Sequence, residues 1–182
     1  MVNPFYFDYV LFEKTLIEDL SVAFADLKQI RSNQTVYCFG IASHAEFESL
    51  NPFMLTEEML WQVVDQDLQD DPSLSRGMNR DNLRWYYRYS YATVDHDYFL
   101  SEYLKETKQL VYDGMRSFDG MIISARKELP EHEVTLIIDE HELKYRKACL
   151  NALQKLNQLG DFGVGTERNK VIVLFVLYGN AD

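Results

Sequence analysis

Apolar residues recur along the chain at two spacings, and the positions where the spacing changes predict its elements. From Asp8 to Ile30, Leu16, Leu20, Ala23, Leu27 and Ile30 repeat every three or four positions with Ile17 and Phe24 beside them. That predicts a helix with one buried stripe and Asp8 as its N-cap. A polar break, Arg31 to Gln34, leads into Thr35–Ala42, whose β-branched and aromatic content predicts a strand buried on both faces, with Gly40 marking a bulge or a close packing contact. Beyond Ser43 the pattern is irregular up to Thr56, where a threonine followed by Glu57 and Glu58 starts a helix to about Val64. The most polar stretch, Asp65 to Asn82, contains Pro72 and Gly77 and reads as a long exposed loop.

Arg84–Val94 then alternates. Trp85, Tyr87, Tyr89 and Tyr91 fall on one side and Arg84, Tyr86, Arg88 and Ser90 on the other, which predicts a strand packed on one face and wet on the other. Asp95, His96 and Asp97 read as a turn and cap for a helix carrying Leu100 to Met115, and a further short helix runs from Asp119 to about Leu129, stopped by Pro130. Glu133–Asp139, EVTLIID, reads as another strand, and Leu143 to Leu159 as a helix that Gly160 terminates. The last element, Val171–Tyr178, is eight uncharged residues apolar on both faces, the pattern of a central strand. The fold class expected is α+β: a small mixed or antiparallel sheet of about four strands packed with amphipathic helices, in a single domain over residues 1–182.

Composition narrows the functions. The chain has 182 residues, 47% of them hydrophobic and 14% aromatic, so it can bury a core, and its formal net charge is −11. A phosphate backbone is repelled by such a chain unless Lys and Arg are concentrated locally, so nucleic acid is not the expected partner; a basic protein is favoured. No basic leader precedes an apolar run near Met1, and no apolar run approaches the length of a bilayer span, so the expectation is a cytoplasmic chain with no membrane partner. Cys38 and Cys149, in an apolar strand and a helix, read as buried small hydrophobes in a reducing compartment.

Candidate chemistry is sparse. Gly160, Gly163 and Gly165 suggest a phosphate loop, but such loops leave a strand and open a helix, whereas this one leaves a helix and opens a strand. Asp65, Asp67, Asp70 and Asp71 suggest a calcium loop, yet Asp70 stands where glycine is required and Arg76 where a bidentate acid is required. His44, His96, His132 and His141 show no metal-ligand spacing, and no serine lies in a nucleophile elbow. No catalytic residue, metal site or cofactor is expected. The outward Arg84, Tyr86 and Arg88 form the most informative surface, aromatic and basic, of the kind enriched at protein interfaces.

The order of elements, with VYCFGIAS, the TEE helix start, the arginine–tryptophan segment and above all Phe162, Gly163, Gly165, Glu167 and Arg168 ahead of the apolar C-terminal strand, resembles a bacterial family known only as domain of unknown function 4303. The resemblance covers nearly the whole chain and is most specific at the C-terminus. It implies a soluble bacterial protein and assigns no activity, so no catalytic residue comes with it. Three readings remain open: a non-enzymatic protein-binding module, as in toxin immunity, using the acidic loop and the Arg84–Tyr86–Arg88 face; a small-anion-binding protein or enzyme holding an anion between the Gly163–Arg168 turn, with Glu167 and Arg168, and the Arg84 strand; and a structural homo-oligomer.

Overall fold

In the computed structural model, which describes residues 7–44, 50–89, 101–163, 165–168 and 170–178, a three-stranded sheet lies between helices on both faces. The elements in chain order are α1 (Tyr9–Ile30), β1 (Val36–His44), β2 (Leu50–Thr56), α2 (Glu57–Asp70), a 3₁₀ turn (Pro72–Arg76), α3 (Arg80–Tyr89), a second 3₁₀ turn (Ser101–Leu104), α4 (Lys105–Glu128), α5 (Glu131–Leu159), the helical turn α6 (Gly165–Arg168) and β3 (Ile172–Tyr178). The sheet order is β2-β1-β3, with β1 antiparallel to β2 and parallel to β3. The α+β class stands. Among the described residues the sheet is mixed and has three strands, where about four were expected.

Side chains alternate across this sheet with period two. Phe39, Ile41, Met54, Val173 and Phe175 face one cluster with α1 and α5, while Ala42, Phe53, Leu55, Ile172, Leu174 and Val176 face another with α2 and α3. Near its start β1 breaks the alternation, because Tyr37 and Cys38 both join the α2–α3 side. The ladder explains this: Val36 pairs with Thr56 and Cys38 with Leu55, so β1 carries one extra residue in a bulge. Gly40 is required further on. A Cβ there would lie 2.4 Å from the Phe53 ring and 2.5 Å from the Leu174 carbonyl oxygen, so only glycine lets the central strand sit this close to its neighbours.

Four sequence expectations are corrected. Val171–Tyr178 is not the central strand but an edge; β1 is central, and β3 is apolar on both faces because helices cover both faces even at the edge. Arg84–Val94 is not a strand. Residues 80–89 form α3, and 90–94, like the Asp95–Asp97 turn, lie outside the described residues. Glu133–Asp139 lies within α5, where Val134, His141, Tyr145, Ala148, Ala152 and Leu156 line the buried side at helical spacing and override the β-branched composition. The missing strand is Leu50–Thr56, read from the sequence as irregular, whose Pro52 sits on the edge strand β2 where a lost N–H donor is tolerated.

Capping followed the sequence more closely. Asp8 accepts from the Val10 and Leu11 amides, Thr56 accepts from the Met59 amide, and Gly160 ends α5 with φ of 87°. The two predicted helices on either side of residue 117 are one, α4, which stops before Pro130. The predicted loop from Asp65 to Asn82 is shorter than expected, since α2 runs to Asp70 and α3 starts at Arg80. Cys38 and Cys149 are buried and unbridged; burial pushes the Cys38 thiol up to about 12 and the Cys149 thiol up as well, so neither is a thiolate at neutral pH.

Candidate functional site

Two of the residues singled out in the sequence, Arg84 and Arg88, meet partners on α2 from their positions on α3. On α2, Glu57, Trp61 and Asp65 are spaced by four; on α3, Arg80, Arg84 and Arg88 are spaced by four, so each set forms one row along its helix. The helices run antiparallel and the rows interlock. Arg80 donates to both Asp65 oxygens, at 2.6 and 2.7 Å, and its guanidinium lies 4.1 Å from the centre of the Trp61 ring. Arg84 lies 4.8 Å from the same ring and donates to Glu57 Oε2 at 2.5 Å, while Arg88 donates to Glu57 Oε1. Arg88 also lies over Tyr37 of β1, at 4.6 Å, which ties the row to the sheet.

Burial grades this ladder from one end to the other. Arg80 and Asp65 are about half exposed, at 52% and 55% of their side chains, whereas Arg88 and Glu57 are 18% and 19% exposed. The outer pair is screened by water; the inner trio is not. The N-terminus of α2 is fixed to β1 as well: the Thr35 amide donates to Glu58 Oε2 at 2.9 Å, which holds the Glu58 carboxyl below its usual range, and the Glu57 amide donates to the Thr35 carbonyl at 2.9 Å. Leu83 and Tyr87, one turn apart on the other side of α3, enter the core beneath Met59, Leu60 and Val64.

Arg84, Tyr86 and Arg88 therefore do not share an outward face. A helix turns Arg84 and Arg88 toward α2 and leaves Tyr86, 59% exposed, on the outside together with Trp85, 55% exposed. Trp85 was assigned to the core by the strand reading. The helical signal was present: Arg80, Arg84 and Arg88 share a spacing of four with Leu83 and Tyr87, and Asn79 accepts from the Asn82 amide as a cap. Asp81 and Asn82 stand one turn before Trp85 and Tyr86, and Asp70, Asp71 and Asp81 are exposed around the same helix pair.

The other predicted site lies across the sheet. Gly163, with φ of 91°, borders a groove of about 560 Å³ lined by Phe24 and Lys28 of α1, Gln34, Thr35 and Val36 before and within β1, and Phe162, Lys170 and Val171. Lys28 lies 5.3 Å from the Phe24 ring, and Phe24 and Phe162 meet edge to face at 5.0 Å beneath it. Glu167 and Arg168 belong to α6, beside this groove in the chain; their side chains lie outside the described residues. A joint site between this turn and Arg84 is not assembled, because Phe162 packs on the α1–α5 side of the sheet and Arg84 on the α2–α3 side.

Among the described residues no group of three His, Cys, Asp or Glu is placed to hold a metal ion, and no helix is long and apolar enough to cross a membrane. Comparison with family models decides what the chain is. A model described as Domain of unknown function (DUF4303) matches residues 16–182. The chain belongs to the DUF4303 family. No curated protein and no solved structure matches it. The DUF4303 match includes the α2–α3 ladder, the groove beside Gly163 and the C-terminal strand, and begins within α1.

Proposed function

We propose that this DUF4303 protein is a protein-binding module whose contact face is the outer surface of α2 and α3. One observation carries the reading: Arg80, Arg84 and Arg88 are spent on Asp65 and Glu57, so the exposed side of the pair is left acidic, and Trp85 and Tyr86 are exposed on α3. Half-exposed Trp and Tyr on a rigid helix supply apolar contact area at low entropic cost, and tryptophan and tyrosine are frequent anchors of interfaces. Exposed Asp70, Asp71 and Asp81 on the same helix pair favour a partner with a basic surface and raise its rate of encounter. Neutralising a basic toxin would use a face of this kind.

The test is affinity capture from a host extract with wild type and with the Trp85→Ala/Tyr86→Ala protein, both shown to be folded by circular dichroism. A partner held by wild type and lost by the variant is expected. The same partners at the same yield with both proteins would refute the face.

A second reading is favoured by the groove beside Gly163, where Lys28 and Lys170 flank an aromatic floor of Phe24 and Phe162 in an otherwise acidic protein. It suits a small organic anion with an apolar body. A thermal-shift screen of nucleotides, sugar phosphates and aromatic carboxylates checks it: a saturable rise that disappears in Lys28→Ala would support it, and a rise unchanged in that variant would place the ligand elsewhere.

A further inference from the structure

We infer that α5 is a self-association surface on which a second copy of this chain packs antiparallel, about a two-fold axis at Leu143. The inference does not rest on the α2–α3 reading, which concerns the other face of the sheet. It starts from three leucines in the wrong place for a core. Leu136, Leu143 and Leu150 are 64%, 68% and 53% exposed, and they are separated by seven residues each. Seven residues fall about 20° short of two helical turns, so the three form one stripe, about 21 Å long from Leu136 to Leu150. The buried side of α5, through Val134, His141, Tyr145, Ala148, Ala152 and Leu156, lies on the opposite side of the helix.

Charge along α5 states what covers the stripe. Residues 131–142 contain five acids, Glu131, Glu133, Asp139, Glu140 and Glu142, and neither Lys nor Arg; residues 143–159 contain Lys144, Arg146, Lys147 and Lys155 and no acid. Leu143 sits where the sign changes. Two such helices laid antiparallel about Leu143 place Leu136 against the partner copy's Leu150, and each acidic half against a basic half. The flanks agree in detail. At about 100° per residue, Asp139 and Arg146 fall on one side of the stripe and Glu140 and Lys147 on the other. In an antiparallel pair each flank meets the same flank of the second copy, so Asp139 meets Arg146 and Glu140 meets Lys147. A parallel pair would set acid against acid and base against base.

Within one chain, Glu140 is bonded to Lys144 at 2.6 Å and Glu142 to Arg146 at 3.3 Å. These are exposed pairs one turn apart, so exchanging them for contacts across the axis costs little. A contact of three leucine layers is smaller than a permanent homodimer interface, which buries about 2,000 Å² or more. The dimer is therefore reversible and dissociates on dilution, and it leaves the α2–α3 face of each copy open.

Sedimentation velocity over a range of concentrations tests the association: wild type is expected to move from 21.4 kDa at low concentration toward twice that mass at high micromolar concentration. Leu143→Glu, at an exposed position that leaves the fold intact, is expected to stay at the single-chain mass throughout. Orientation is read by a short bis-maleimide, to which Cys38 and Cys149 are closed by burial. Leu143→Cys should cross-link to its own copy, and Leu150→Cys, about 21 Å from its counterpart in the antiparallel pair, should not. A wild type that remains a single chain at every concentration, a Leu143→Glu protein that dimerises like wild type, or Leu150→Cys linking as readily as Leu143→Cys would each overturn the inference.

Discussion

On one face of the sheet, α1 and α5 meet through Phe12 stacked on Tyr145 at 4.8 Å, with Leu16, Leu20 and Leu156 fully buried around them. On the other face, α2 and α3 meet through three arginines, two carboxylates and a tryptophan, above a smaller apolar contact from Leu83 and Tyr87. The first junction is made of dispersion and water exclusion and is indifferent to salt. The second depends on charges that are paired where they are least hydrated. A helix as polar as α3 joins a core by this second route, with Trp85 and Tyr86 left more than half exposed on its other side.

The largest effect that would test this contrast is Phe12→Ala. Removing a ring that is 0% exposed is expected to cost about 3–5 kcal/mol in urea denaturation, at low and high salt alike. A strong salt dependence of that loss would erase the distinction between the two sides.

The α1–α5 side buries a titratable imidazole, His141, which is 4% exposed and whose Nδ1 is hydrogen-bonded to the Tyr9 hydroxyl, 2.5 Å away. Burial lowers its pKa from 6.5 to about 4, with Lys144 adding to the shift. The unfolded chain therefore binds the proton more readily between those values, so stability is full above about pH 6.5 and falls as pH drops toward 4, by roughly 2–3 kcal/mol. Denaturation midpoints at pH 7 and pH 5 should differ more in wild type than in His141→Gln; equal differences would remove His141 as the cause.

Glu57→Gln sharpens the other half of the comparison. It leaves the guanidinium groups of Arg84 and Arg88, 26% and 18% exposed, without their shared anion, and a loss of about 2 kcal/mol is expected. A change too small to measure would mean that Leu83 and Tyr87 alone hold α3 in place. Smallest of all is Asp65→Asn, at the exposed end of the same ladder. Its midpoint should shift slightly in low salt and not at all in high salt, because the Arg80 pair is open to solvent.

The two sides were also unequally legible in the sequence. Long stripes such as Leu16, Leu20, Ala23 and Leu27 predict α1 within a residue or two of its ends, since three or four turns of repetition leave no competing period. Arg84 to Tyr89 is only six residues, two arginines four apart among four aromatics, and such a short run fits period two as well as period four. Its helical character becomes plain once Glu57, Trp61 and Asp65 are seen to carry the complementary spacing some twenty residues earlier. In α5, the run Val134 to Ile138 looked like a strand because its β-branched residues were weighed alone, without the Tyr145 to Leu156 stripe that continues the same helix. Of the proposed face, Tyr86 was found on the surface as the alternation predicted, and Trp85 was missed for the same reason that α3 was.

By itself the sequence determined the caps at Asp8, Thr56 and Gly160, the burial of both cysteines, the apolar strands β1 and β3, and membership of the family, because each is set by neighbouring residues or by a long unbroken pattern. Tertiary structure decided that β1 rather than β3 is the centre of the sheet, that β2 pairs with it across a bulge, and that Arg84 and Arg88 turn inward onto Glu57. These depend on contacts between residues distant in the chain. An apolar strand reads alike at centre or edge when helices cover both its faces, and an arginine reads as surface until a carboxylate of a neighbouring helix claims it.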